Sequence, residues 1–272
     1  MSCIFKNHGK RKIHELDGHG AKLPSQKVPK HNAEATTMVH GTNDLIQQIN
    51  ALPWDQFLQQ HIPDSSLQYH PCQHNEAPGP TKQQLNYEIQ IKHVLNGTTH
   101  LSGLRDDMTD SELERCYVLI EQTSGEAYRA SGFGWHPRRK KREMREKDMR
   151  YLLIRRSAQE RDQDPDETLQ GFLSFMLTYE DGCPVIYVYE IHLTFSARGC
   201  GLGRHLIDII ERIGKSAQVE KCMLTVFRSN EQAWRWYEKL GYEIDEYSPP
   251  DKKLRGGKVK QADYLILSRN LQ

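Results

Sequence analysis

The sequence predicts an α+β fold, a mixed and mostly antiparallel central sheet flanked by helices. Three observations predict it. Residues 169–177 and 185–193 are apolar strand segments joined across Asp181-Gly182, a turn dipeptide that folds neighbouring strands back on each other. Residues 185–193 are followed by a helical pattern and then by another strand, 221–227, so the sheet also holds a crossover. Apolar stripes at Leu113, Cys116, Tyr117, Ile120 and at Leu206, Ile209, Ile210, Ile213 supply helix faces to cover the sheet.

The first eighty residues differ from the rest. They hold eight of the thirteen histidines, and up to His31 they carry seven Lys or Arg against two acids. Such a composition buries too little apolar surface to offset the entropy of ordering. Residues 1–84 are therefore expected to be a low-complexity extension without fixed structure, and residues 85–272 the folded domain. One short helical pattern, Leu45, Ile46, Ile49 through Trp54, Phe57, Leu58, interrupts the extension. His70-Pro-Cys72-Gln-His74 offers two or three metal ligands but no second half-site, so no metal is expected.

Order is expected to begin near Leu85. Residues 87–94 alternate apolar and polar, a strand signal. Thr109 to Glu112 then offers helix caps ahead of Leu113. Gly125, Gly132 and Gly134 are expected to break regular structure around Tyr128 and Trp135, aromatics that either line a pocket or plug a core edge. From His136 to Arg150 run eight basic and three acidic residues. That run reads as a nuclear signal, a nucleic-acid patch or a solvated helix face. The last is preferred, with Glu143, Glu146 and Lys147 in i,i+4 contacts, because no interleaved aromatics offer base stacking. Residues 151–154 form a short strand, 157–167 a charged linker, and 169–177 the next strand.

Residues 185–193 are apolar on both faces, the pattern of a central, covered strand. Glu190 is out of place there. Burial should raise its proton affinity, and it is either a satisfied structural carboxylate or a base. After the helix and the strand 221–227, Asn230 can cap a helix carrying Ala233, Trp234, Tyr237 and Leu240, which Gly241 stops. Residues 242–244 and 262–268 are terminal strands, separated by a polar loop with five Lys or Arg.

Between the covered strand and its helix lies Arg198-Gly199-Cys200-Gly201-Leu202-Gly203. Glycines let the backbone approach an anion, and a helix start offers unpaired N–H groups. The spacing is neither a dinucleotide fingerprint nor a nucleotide P-loop. It reads as a cradle for the pyrophosphate of coenzyme A. The net charge of +1 names no partner. No apolar run is long enough to span a bilayer, and the start of the chain lacks an apolar stretch of signal-peptide length. The six cysteines have no C-x-x-C spacing, which suits free thiols in a reducing compartment.

Arg198-x-x-Gly201-x-Gly203, its helix, and the strand leading to Asn230, Tyr237-Glu-Lys-Leu-Gly241 and Tyr242 resemble the GNAT acetyltransferase superfamily. Gly134-Trp135, residues 141–144, Tyr187-Val-Tyr189-Glu190, Met223-Leu-Thr225-Val-Phe227, Glu243-Ile-Asp245, Ser248-Pro249 and Tyr264 through Arg269 resemble, within it, the N-terminal acetyltransferase D family of histone-specific N-alpha-acetyltransferases. The resemblance covers roughly residues 85–272.

The resemblance implies acetyl transfer from acetyl-CoA, without a metal, to the α-amino group of histone tails that begin Ser-Gly-Arg-Gly. It implies acetyl-CoA contacts at His192, Leu193, Thr194, Arg198, Gly199, Cys200, Gly201, Leu202, Gly203, Arg204, His205 and Asn230. It implies peptide contacts at Tyr128, Trp135, Thr178, Tyr179, Glu180, Tyr187, Thr225, Ser248 and Tyr264. Glu190 matches the family's base, with Tyr189 and Tyr237 as alternative proton donors to the departing thiolate. Thr178 stands where the family carries an acid that helps hold the substrate arginine. Further implications are a monomer in nucleus and cytoplasm, the ribosome or the nucleosome as partners, and neither a membrane nor sequence-specific nucleic-acid contact. Two other readings fit the same residues: a GNAT enzyme acting on another amine, a lysine or a small molecule, and a non-catalytic chromatin-binding module.

Overall fold

A computed structural model describes residues 44–62, 64–70, 86–94, 107–156, 169–253, 255–257 and 259–272. The basic start of the chain, the Cys72–His74 cluster and the charged linker at 157–167 lie outside the described residues.

The main sheet is mixed and mostly antiparallel, as expected. Its strands are β1 (Gln68–Tyr69), β2 (Tyr87–His93), β3 (Arg150–Arg156), β4 (Leu169–Glu180), β5 (Cys183–Leu193), β6 (Lys221–Phe227), β7 (Glu243–Ile244) and β10 (Tyr264–Asn270), in the order β1-β2-β3-β4-β5-β6-β10-β7. β8 (Lys252–Lys253) and β9 (Val259–Lys260) form a separate small ribbon. Among the named strands of the described residues, only β5 and β6 pair in parallel. They are joined by α5 (Leu202–Ser216), whose apolar stripe packs on the sheet. The β4–β5 hairpin turns on Asp181 (φ 48°) and Gly182 (φ 86°), two left-handed residues whose twist matches the flanking strands.

Helices cover both faces. One face carries α1 (Leu45–Asn50), α2 (Trp54–His61), α5 and α6 (Glu231–Lys239); the other carries α3 (Asp110–Ala130) and α4 (Pro137–Glu143). α3 starts with a reciprocal cap: Glu112 N donates to Thr109 Oγ1 at 3.1 Å, and Thr109 N donates to Glu112 Oε2 at 2.9 Å. It then runs on through Gly125, so Tyr128 lies on the helix and not in the glycine loop expected there.

The expected domain start at residue 85 is corrected. Ile46, Ile49, Phe57 and Ile62 are buried in the same core as β4, β5 and α5. Asn50 Nδ2 donates to Leu177 O at 3.1 Å, and the Arg150 guanidinium lies 4.4 Å from the Phe57 ring centroid. A few apolar anchors within polar surroundings are enough to seat two short helices, although the average composition of the segment points the other way.

Two irregularities position the site. Ser174 pairs with Glu190 while Phe175 pairs with Val188, so Tyr189 is an extra residue, a bulge in β5. The bulge resets the alternation of side chains. Val188 and Ile191 face the α5 core, whereas Tyr189 packs with the α3 side and Glu190 bonds there. Secondly, the parallel pairing of β5 with β6 ends at Val188↔Leu224, although β5 continues to Leu193 and β6 to Phe227. The two strands diverge inside the sheet.

Candidate active site

The divergence opens directly onto the glycine turn. Arg198 Nε donates to Leu193 O at 3.1 Å, tying the turn back to the end of β5. Gly199 (φ 78°) and Gly201 (φ 90°) both take the left-handed conformation, and Gly201 is the N-cap of α5. The first N–H groups of α5 have no partner within the helix and face the turn. Leu202 is buried in the core, so only its backbone is available to a ligand. The thiol of Cys200 donates to Ala197 O at 3.3 Å. The turn thus places two left-handed glycines and a helix start beside a slot between strands, a geometry that fits the pyrophosphate and pantetheine arm of a coenzyme A thioester.

Glu190 is 1 % exposed and both of its oxygens are engaged. Oε1 accepts from Lys140 Nζ at 2.8 Å and from Tyr128 Oη at 3.1 Å; Oε2 lies 2.6 Å from His192 Nε2. Burial alone would push this carboxyl up, but the Lys140 ammonium and the His192 hydrogen bond outweigh it and hold the group below its ordinary range. The raised proton affinity expected from the sequence is therefore overturned. His192 is itself fully buried, and burial lowers its pKa despite Glu190. Its side chain is spent on Glu190 and on the Thr123 hydroxyl of α3, which leaves only its backbone for the expected donor contact.

Lys140 and Glu143 are the residues that sequence reasoning missed. The basic run 136–150 was expected to be solvated, with Glu143 paired to Lys147. Instead Lys140 is buried and donates to Glu190 Oε1, to Glu143 Oε1 at 2.9 Å and to Tyr128 Oη at 2.9 Å. Burial depresses its pKa, but Glu190, Tyr128 and Glu143 together outweigh burial and hold the ammonium well above its ordinary range. Burial pushes the Glu143 carboxyl up to about 8, with Lys140 offsetting only part of it. The available signal was spacing: with Pro137 opening the helix, Lys140, Glu143 and Met144 fall on one face.

Above this network lies a pocket lined by Tyr128, Phe133, Gly134, Trp135, Arg139 and Glu143, among others. Phe133 reaches toward Tyr264, with ring centroids 5.2 Å apart, and Tyr128 meets Phe227 edge-on at 5.1 Å. The Tyr187 and Thr225 hydroxyls bond each other on the same side. Tyr128, Trp135, Tyr187, Thr225 and Tyr264 are thus brought together. Ser248 lies behind, accepting from Ile266 N at 3.0 Å.

Other expected residues fall elsewhere. Tyr179 points to the α1 face, where its hydroxyl donates to Asp44 Oδ1 at 3.0 Å, and so leaves the expected peptide site. Thr178 pairs with Val185 near the hairpin, and Glu180 pairs with Cys183. Asn230 caps α6, accepting from Ala233 N at 3.2 Å. Tyr237 is buried on the α5–α6 face, against Trp236 and Tyr242. The two expected proton donors therefore lie on opposite faces of the sheet, Tyr189 with Glu190 and Tyr237 away from it.

Residues 110–242 match the model of the Acetyltransferase (GNAT) family. This is a GNAT fold. Acetyl-CoA is the co-substrate that a GNAT fold implies, in keeping with the glycine cradle. N-alpha-acetyltransferase 40 of Saccharomyces cerevisiae (strain ATCC 204508 / S288c) is 30% identical over 164 residues, which are 52% of this chain and 54% of that protein. The chain thus spans about half the length of that relative. Among solved structures, smu.2055 from Streptococcus mutans UA159 matches with TM-score 0.44 and 24% identity, over 61% of this chain and 97% of that one. Arabidopsis thaliana NAA60 in complex with a bisubstrate analogue matches with TM-score 0.43 and 13% identity, over 67% and 97%. Among the described residues of this GNAT fold, no group of three or more His, Cys, Asp or Glu is set to hold a metal ion, and no helix is long and apolar enough to cross a membrane.

Proposed function

We propose that the protein is an acetyl-CoA-dependent N-alpha-acetyltransferase whose substrates are protein N termini of the histone type, Ser-Gly-Arg-Gly. The observation that carries this reading is the place of Glu190: a buried carboxylate at the divergence of β5 and β6, whose partners Tyr128 and Lys140 line the pocket with Trp135.

The chemistry follows from that placement. An α-amine has a reference pKa of about 7.7–8.0, so much of it arrives protonated at neutral pH. Glu190 takes that proton through one water, because its own oxygens are buried. The freed nitrogen attacks the thioester carbonyl, which backbone N–H groups near the end of β5 polarise. Tyr189 stands beside Glu190 and burial keeps its phenol protonated, so it serves as a hydrogen-bond donor to the departing thiolate, which takes up the second proton released by the attacking nitrogen.

Along β4, at some 3.3 Å per residue, Thr178 lies about 13 Å and Glu180 about 20 Å from Ser174, the partner of Glu190. Three extended residues of a bound peptide span ~10 Å, and an arginine side chain covers the remainder. Arginine at the third position therefore reaches the level of Thr178, which contributes no charge, and Glu180 is the acid one residue pair farther along. Histone tails, on the nucleosome or emerging from the ribosome, are the proposed partners.

The test is acetylation of a Ser-Gly-Arg-Gly peptide offered with a free or a blocked N terminus. Product is expected from the free peptide alone. Product from the blocked peptide, or from free lysine side chains only, would overturn the reading.

A further inference from the structure

Glu190 and Glu143 share one ammonium. Lys140 Nζ lies 2.8 Å from Glu190 Oε1 and 2.9 Å from Glu143 Oε1, and all three groups are buried. Two carboxylates on one cation in a closed site leave one negative charge uncompensated, so one of them is favoured to hold a proton. The surroundings choose which. Glu190 accepts from Lys140, Tyr128 and His192. Glu143 accepts from Lys140, whereas its Oε2 is buried without a hydrogen-bond partner at the floor of the Tyr128–Trp135 pocket. An oxygen in that position is satisfied by a proton that it can pass to water in the pocket.

We propose that Glu143 is the exit station of a proton relay in which Lys140 exchanges its ion pair between Glu190 and Glu143 as the substrate amine is deprotonated. This rests on the reading of Glu190 as the base. The resting site holds Glu143 as the acid, Lys140 as the ammonium and Glu190 as the carboxylate. When the substrate nitrogen loses its proton, an N–H bond breaks and an O–H bond forms on Glu190. Lys140, no longer neutralised there, turns its charge on Glu143, whose O–H bond breaks and whose proton passes to water in the pocket. The site then resets: Lys140 gives a proton to Glu143 and takes one from Glu190. One proton has moved from the amine to solvent, and the trio regains neutrality when Glu143 releases its proton.

The groups that face Glu143 support this balance. On and beside its own helix are Lys140 and Glu146; from α3 comes Tyr128; from β3 comes Tyr151; from β5 come Glu190 and Tyr189. Arg139 and His136 stand at the pocket rim. Lys140 is the cation in direct contact, so its choice of partner decides which carboxylate is ionised. The raised affinity of Glu143 agrees with the geometry.

Infrared titration of the full chain tests the relay without any turnover. The wild type at pH 7 is expected to show one buried protonated carboxyl, lost as pH rises through about 8. The band should be absent in Glu143→Gln. It should also be absent in Glu190→Gln, where Lys140 has only Glu143 to pair with. No band in the wild type, or a band that survives in either variant, would overturn the proposal. With the peptide substrate, Glu143→Gln should lose roughly a hundredfold in kcat at pH 7, a loss of the size expected for general-base assistance. That loss should shrink toward pH 9, where the amine arrives already deprotonated, while the variant stays folded at both pH values. An equal loss at every pH would instead assign Glu143 a packing role. Absence of peptide turnover by the wild type would count against the proposed function, and the infrared result would still decide the relay.

Discussion

The hydroxyl of Tyr69 donates to the backbone carbonyl of Cys200 at 2.6 Å, joining the edge strand β1 to the middle of the glycine turn. Around this bond His205 Nε2 lies 2.8 Å from Ser66 O, and the Tyr69 and His205 rings sit 4.7 Å apart. The Tyr69 hydroxyl also occupies the space that a Cβ on Gly201 would need. The segment before residue 85 thus helps to shape the glycine turn proposed to hold the acyl donor.

Removing that bond should loosen the turn without touching the chemistry. Tyr69→Phe is expected to raise the KM for acetyl-CoA several-fold, in line with the loss of a hydrogen bond of about 1 kcal/mol, while kcat is kept. Gly201→Ala should be worse, because it strains a left-handed backbone and displaces Tyr69 together. Initial rates over a range of acetyl-CoA concentrations check both. An unchanged KM for both variants would remove the turn from the donor site.

The N-terminal helices should be needed for folding. Phe57 is buried under the Arg150 guanidinium and against the sheet core, so Phe57→Ala is expected to cost about 3–5 kcal/mol. Deletion of residues 1–70 should lower the melting temperature further, since it strips α1, α2 and β1 together. Urea denaturation of the point variant and a thermal melt of the truncation measure the two effects.

Glu190→Gln should reduce kcat by about 10²–10⁴ and leave acetyl-CoA affinity near the wild-type value. Lys140→Met should behave differently. It leaves Glu190 buried without its counter-charge, at a cost of about 3–5 kcal/mol when one partner of a buried pair is removed. Paired assays of kcat and of unfolding free energy separate the two: the first variant fails in rate, the second in stability.

Stability should respond to pH through two carboxylates with opposite signs. Burial would raise the Glu112 carboxyl, but Lys92, the Thr109 backbone and Arg155 together hold it below its ordinary value. Its contribution is therefore present above the unfolded pKa near 4.5 and is lost as pH falls through the lower folded value. Glu143 runs the other way. Its carboxyl, pushed up to about 8 by burial, stabilises the fold below 4.5 and loses that contribution as pH rises from there to about 8. Unfolding titrations should show a flatter acid limb in Glu112→Gln and a smaller fall between pH 5 and pH 8 in Glu143→Gln.

Much of the architecture was legible in the sequence because it rests on short-range signals. The Thr109 cap, the Asp181-Gly182 turn, the α5 stripe and the Asn230 cap each depend on residues close together in the chain, and all are found. What escaped depends on distant partners. Lys140 reads as one more surface cation until β5 and α3 bring Glu190 and Tyr128 to it. Averaged composition hid Phe57 and Tyr69 among polar neighbours. The site face of Glu190 was beyond a periodicity argument, because one extra residue at Tyr189 inverts the alternation, and that residue is recognisable only from its pairing with β4.

The divergence of β5 from β6 gives the sheet an edge in its interior. An edge strand exchanges its amide hydrogens readily, and here that edge belongs to a strand whose other side is fully paired. A donor arm with amides of its own would complete the ladder as a missing strand would. Hydrogen–deuterium exchange should therefore be fast in the free protein at those amides of residues 190–193 that point away from β4, slow with acetyl-CoA bound, and unchanged at residues 185–188. The open seam of the sheet and the proposed donor slot coincide, so occupancy by the donor would double as reinforcement of the fold.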